Sequence, residues 1–282
     1  MRSDETLDSD AAFETCALLK WVSPRPEINL VLELYLREIT GRLFRDVQTV
    51  YLFGSAVLRD LVPDTSDLNM VVLVKRDLGE AARGEIGTVH RYLASPAFAP
   101  WGSMLDVFYG PAGLFAAKPR PGKGLRGSSQ GVRSSDKVQL DPMELYSLHD
   151  HGTVLHGADL RPSLRRPQLP ELCRQVRLLT GRVADLDASA QPRDVIDGCA
   201  DLTRALYVLE HERVASKSEA TQWFMKLVKG KAADAALEAN RLRRGEVRSG
   251  VATLRRLLPH FLVAAREELQ RLEHRHGAVD ER

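Results

Sequence analysis

The stretch that most constrains this chain is Tyr51-Leu52-Phe53-Gly54-Ser55-Ala56, followed by Ser66-Asp67-Leu68-Asn69-Met70-Val71-Val72-Leu73-Val74. It reads as a strand, a tight Gly-Ser turn, a short excursion and a second strand. Thr49 to Phe53 is rich in β-branched and aromatic residues and stops at Gly54, as a buried strand does. Met70 to Val74 is a continuous apolar run, the pattern of a strand covered on both faces. Side chains alternate along a strand, so Asp67 and Asn69 share one direction while Leu68 and Met70 point into the core. Gly54 lets the backbone approach a ligand with no Cβ in the way. Ser55 offers a hydroxyl and a backbone N–H suited to phosphate oxygens.

A third acid follows in Trp101-Gly-Ser-Met-Leu105-Asp106-Val107-Phe-Tyr109. Asp106 has apolar neighbours on both sides, where an unpaired carboxylate would be costly. Each element alone is ordinary: Gly-Ser turns join many strands, and a lone Asp at a strand start often caps a turn. Their combination in order is not ordinary. Gly-Ser, a spacer, Asp-apolar-Asn-apolar and a later apolar-Asp-apolar strand resemble the way polymerase-beta-type nucleotidyltransferases hold a metal-bound nucleoside triphosphate. One position departs from that pattern, because the second of the paired carboxylates is Asn69.

With 282 residues the chain has room for two domains, each able to bury a core. A net charge of +2 gives no ground for bulk attraction to nucleic acid or membrane. No basic stripe with interleaved aromatics supports nucleic-acid binding, and no apolar run approaches a membrane span. Cys16, Cys173 and Cys199 show no CxxC or metal spacing, so buried free thiols in a reducing compartment are expected. The acidic, polar start lacks the apolar segment of a signal peptide. A cytoplasmic protein is the expectation.

The organisation reads as four parts: a flexible segment over 1–25, a nucleotidyltransferase domain over 26–117, a flexible linker or loop over 118–140, and a helical domain over 141–282. In the first domain, Ile28, Val31, Leu32, Tyr35, Leu36, Ile39 and Leu43 recur at helical spacing, and a second helix is expected over 78–93. Together with the strands they give a mixed sheet with flanking helices, an α+β domain. Residues 118–136 are dominated by Gly, Ser, Pro and basic side chains, which reads as a loop and not an element. Asp141-Pro142 opens a helix, with an Asp cap and Pro at the first helical position. Val154-Leu155-His156-Gly157 reads as a short connection. Amphipathic segments follow over 170–186, 194–213 and 217–229, the last behind a Ser216-Lys-Ser-Glu219 capping box. One or two further helices cover 246–275, with Pro259 as a break or kink.

Both halves together resemble the aminoglycoside adenylyltransferases that modify streptomycin and spectinomycin, with their C-terminal helical domain. Phe53-Gly54-Ser55-Ala56-Val57 and Ser66-Asp67-Leu68-Asn69-Met70 resemble that family's GSAV and SDIDL signatures. Leu202-Thr-Arg204-Ala-Leu-Tyr207 resembles its LxRxxY segment, and Ser216-Lys217 through Trp223 resembles the segment after it. The resemblance implies ATP as donor, Mg²⁺, AMP transfer to a hydroxyl and release of pyrophosphate. It implies that Gly54, Ser55 and Ser66 lie against phosphate, and that Asp67, Asn69 and Asp106 form the metal set. Asp106 would also be the general base, where the family has Glu. Lys217 would reach the phosphates from a helical domain that covers the mouth of the site, and Arg204 would line the cleft. Mg²⁺ seeks carboxylate and phosphate oxygens together, and displacement at the α-phosphorus relies on charge neutralisation and in-line positioning.

Three departures shape the expectation. Asn69 can coordinate through its amide oxygen but brings no charge, and losses of such electrostatic terms run to about a hundredfold or more. The aromatic drug-contacting segment after the third carboxylate is not visible, and no tryptophan precedes Arg204 where streptomycin-modifying members place one. A carboxylate-lined cleft suits a small hydroxylated, cationic acceptor. The alternative is a nucleotide-binding pseudoenzyme silenced by Asn69.

Overall fold

The computed structural model describes residues 22–63, 65–135, 139–247 and 250–280. The flexible segment expected over 1–25 therefore lies, up to residue 21, outside the described residues, as does Cys16. The chain divides into two compact units, and they interleave in sequence: Met1–Arg59, Asp67–Gln139 and Gly152–Arg165 form the first, and Asp60–Ser66, Leu140–His151 and Arg166–Arg282 the second.

In the first unit, α1 (Pro26–Arg42) leads to β1 (Val47–Phe53), β2 (Leu68–Val74), α2 (Glu80–Leu93), β3 (Leu105–Pro111), β4 (Gly124–Ser128), β5 (Gly131–Ser135) and β6 (Thr153–Gly157). The six strands make one mixed sheet in the order β5-β4-β3-β2-β1-β6. Only β2 and β3 run parallel. A parallel pair needs a crossover, and α2 supplies it.

Two expectations about loops are corrected here. The composition of residues 118–136 predicts a loop, yet β4 and β5 form a hairpin within them, paired from Gly124↔Ser135 to Ser128↔Gly131. Composition hid it because the turn needs Gly131 at φ +110° and only Leu125 and Val132 supply apolar inward positions. The short connection at 154–157 is likewise an edge strand, with Val50 opposite His156 and Tyr51 opposite Val154.

One face of the sheet is covered by α1 and α2. Tyr35 of α1 donates to the Tyr109 hydroxyl of β3 at 2.9 Å, and that hydroxyl lies 2.9 Å from Nε2 of His90 on α2. Tyr109 thus accepts from Tyr35 and shares a second hydrogen bond with the His90 ring. Gly127 of β4 lies beneath this ring: a Cβ there would sit 2.4 Å from Nε2. A glycine is required by the close approach.

Burial holds the His90 imidazole down, to a pKa of about 4, although the charge of Asp106 pulls the other way. The unfolded chain therefore binds a proton that the folded one refuses, so stability falls as pH drops from about 6.5 towards 4. The loss is roughly 3 kcal/mol. Urea melts at a series of pH values should show this slope, and His90→Gln should flatten it relative to the parent protein.

The second unit is helical: α3 (Pro142–His151), α4 (Leu169–Ala184), α5 (Pro192–His211), α6 (Lys217–Leu227), α7 (Lys231–Arg243) and α8 (Val251–Asp280). Asp141 and Glu144 cap α3 reciprocally, and Ser216 accepts the Glu219 N–H at 3.0 Å to start α6. Helix α7 has no counterpart in the sequence reading. It is alanine-rich on its buried side (Ala232, Ala235, Ala236, Ala239), so its apolar face carries little contrast. Pro259 does not break α8, which continues through it. Cys173 and Cys199 are buried free thiols, and burial pushes Cys199 up to about 12. Among the described residues no helix is long and apolar enough to cross a membrane.

Candidate nucleotide site

The open face of the first unit's sheet follows from strand alternation. Gly127 and Val132 point towards α2, where Val132 meets the Gly87 position, so their neighbours Arg126 and Arg133 point the other way. Asn69 and Asp106 stand directly side by side across the parallel β2–β3 pair, and Phe53 faces Asn69 from β1. The polar pair at this end of the sheet is thus Asn69 and Asp106, with Asp67 immediately before β2.

Gly54 closes β1 at φ +75°, a conformation that side chains rarely adopt. A Cβ there would come within 3.2 Å of the Asn69 amide nitrogen, so backbone and amide are in close contact. The Asn69 amide donates weakly to the Asp67 carbonyl at 3.4 Å, which leaves its oxygen as the end suited to a cation. Ser55 donates to the same carbonyl at 3.3 Å. Gly54, Ser55, Asn69 and the backbone carbonyl of Asp67 are therefore gathered at one place.

Asp106 is not a bare carboxylate. Arg126 grips both of its oxygens, Nε to Oδ1 and Nη2 to Oδ2, each at 2.7 Å. The side chains are only about a quarter and a fifth exposed, 24% and 20%. A parallel two-bond fork of this kind is the strongest pairing open to a carboxylate and a guanidinium. It resolves the cost of a carboxylate flanked by apolar residues. Arg126 was hidden in the stretch whose composition predicts a loop, and only its strand register brings it to this face.

Ser66 lies in the Asp60–Ser66 segment of the second unit, where its hydroxyl accepts the Val62 N–H at 2.9 Å and closes a turn. Lys217, the first residue of α6, is held by two carboxylates of α5, Asp197 at 3.0 Å and Asp201 at 3.1 Å. Arg204 pairs with Asp201 at 3.2 Å. Burial pushes the Asp201 carboxyl up, but Lys217 and Arg204 outweigh it and hold it below the ordinary range. Both cations expected to serve a ligand are thus balanced by α5. Asp197 and Asp201 escaped sequence reasoning, although their i, i+4 spacing puts them on one helix face.

The other residues of the family-like segments pack together. Tyr207 and Trp223 meet edge to face at 5.6 Å, and Arg213 stacks over Tyr207 at 5.0 Å. Their place is a small core around Ala215 and Ala220.

Among the described residues no group of three or more His, Cys, Asp or Glu side chains is arranged to hold a metal ion. The donors that the sequence offers are the carboxylates of Asp67 and Asp106, the latter gripped by Arg126, and the Asn69 amide oxygen. That set fits a single Mg²⁺ that arrives with phosphate oxygens of its own, and does not fit two ions.

No protein-family model matches the chain, and no curated protein matches it by sequence. Among solved structures it is similar to a spectinomycin adenyltransferase, AAD(9), from Enterococcus faecialis, crystallised with ATP and spectinomycin. The TM-score is 0.64 at 14% sequence identity, covering 86% of this chain and 98% of that one. The chain shares the fold of that protein.

Proposed function

We propose that the protein transfers AMP from ATP to a hydroxyl group of a small acceptor and releases pyrophosphate. The observation that carries this is the juxtaposition of Asn69 and Asp106 on one sheet face, with the Gly54 backbone closed against Asn69. In this reading the Gly54–Ser55 turn cradles phosphate, and Ser66 and Lys217 serve the triphosphate on the strength of the resemblance. Asp106 takes the proton of the acceptor hydroxyl as the new oxygen–phosphorus bond forms and the bond to the β-phosphate breaks. Asp67 and the Asn69 amide oxygen would hold one Mg²⁺, which when bound neutralises phosphate charge. Arg204 acts by fixing Asp201, which in turn steadies Lys217. An ATP-dependent enzyme with buried free thiols fits a reducing cytoplasm.

A second reading, nucleotide binding without catalysis, is favoured by one observation: the base is locked by Arg126. Calorimetric titration with ATP, with and without Mg²⁺, tests the part common to both. Mg²⁺ should tighten binding, Asp67→Ala should remove that gain of about tenfold, and Asn69→Asp should enlarge it. Equal affinities in all three proteins would end both readings.

A further inference from the structure

Arg126 has a neighbour that gives it a second use. On the β4–β5 hairpin Arg126 stands directly opposite Arg133, on the face that carries Asn69 and Asp106. Two guanidinium groups on directly opposed strand positions repel. Asp106 offsets one of them, whereas Arg133 is exposed and has no ion-pair partner among the described residues. Along the face the charges therefore run from Asn69 through Asp106 to Arg126 and Arg133. Neutral and negative positions give way to positive ones within three strand spacings, about 14 Å.

We infer that Arg126 and Arg133 form an oxyanion subsite for the acceptor, so that the acceptor is a small hydroxylated molecule bearing a phosphate or carboxylate. This deepens the proposed AMP transfer and rests on it for the place of ATP. The Gly54–Ser55 turn lies on the β1 side of Asp106 and the arginine pair on the β5 side, so triphosphate and acceptor anion would flank the base. Two consequences follow from the chemistry. A cationic aminocyclitol loses its electrostatic ground, because Arg126 cancels one of the carboxylates that would attract it. And an anion that engages Arg126 competes with Asp106 for the same guanidinium, which loosens the carboxylate when, and only when, the acceptor is in place.

Calorimetric titration without nucleotide isolates this inference from the AMP-transfer reading. The probes are glucose 6-phosphate and gluconate, their neutral parent glucose, and spectinomycin as the cation. Glucose 6-phosphate or gluconate should bind better than glucose and spectinomycin, the stronger of the two telling phosphate from carboxylate. Arg126→Gln and Arg133→Gln should each weaken that binding at least about tenfold, and added salt should weaken it in the parent protein. Arg133 is exposed, so its variant keeps the fold even if Arg126→Gln disturbs β4. ATP affinity should stay unchanged in Arg133→Gln. The subsite is overturned if neither anion outbinds glucose, if spectinomycin binds best, or if both variants bind the anion normally. An equal loss of ATP affinity in Arg133→Gln also overturns it, since the arginines would then serve the triphosphate.

Discussion

Replacing Asp60 with alanine is expected to destabilise the second unit by about 3–5 kcal/mol, the range that follows when one partner of a buried ion pair is removed. Asp60 and Arg243 are nearly sealed from solvent, at 6% and 2% side-chain exposure. Arg243 Nη2 reaches both carboxylate oxygens, at 3.0 and 2.9 Å. The same carboxylate accepts the Ser218 hydroxyl at 2.8 Å and the Ser218 N–H at 3.1 Å, and so caps the first turn of α6. Alanine would strand a buried guanidinium and unsatisfy a helix N–H in one step. Double replacement, Asp60→Leu with Arg243→Met, should recover most of the loss, because it removes the charge along with its partner. Chemical denaturation of the parent protein and both variants measures the two effects. A loss below about 1 kcal/mol for Asp60→Ala would contradict the network's importance.

For activity the largest effect is expected at Asp106. Asp106→Asn keeps the shape of the side chain and one oxygen for Arg126, but it cannot accept a proton from the acceptor. The rate of pyrophosphate release should fall about a hundredfold or more, with little change in the KM for ATP. Arg126→Gln separates the two roles of the pair. It leaves the carboxylate in place without its guanidinium, so with acceptor at saturation it should retain the turnover that Asp106→Asn loses, while the KM for the acceptor rises. If both variants lose activity alike, the pair is structural and Asp106 is no base.

The strands β1, β2 and β3 and the helices around them were legible because their apolar periods are long and their ends are marked by Gly54 and by Pro26. The place of Asn69 at the start of β2 was legible from the same apolar run, whereas its position beside Asp106 depends on the β2–β3 register, which no period within one strand encodes. What escaped was built from weak local signals. The β4–β5 hairpin is polar outside its two apolar positions, and Gly127 is set by the His90 ring, a contact that no local pattern encodes. Edge strand β6 is defined by its pairing to β1, far earlier in sequence, and not by its own composition. Arg126 followed the hairpin out of sight, and with it the most consequential feature of the site. The sequence showed a carboxylate with apolar neighbours but not the cation that answers it. Lys217 and Arg204 were legible as charges near a motif, whereas Asp197 and Asp201, which balance them, needed the packing of α6 on α5.

Transfer of AMP can be observed most directly by mass spectrometry of candidate acceptors after incubation with Mg²⁺ and ATP. The panel should span hydroxylated acids, sugar phosphates and aminocyclitols, and the parent protein should be run beside Asn69→Asp and Asp106→Asn. An acceptor that gains the mass of AMP with the parent protein, and not with Asp106→Asn, is the expected result. An adduct that forms only with Asn69→Asp, or with none of the three, would contradict transfer by the protein as it stands and leave the fold without the reaction.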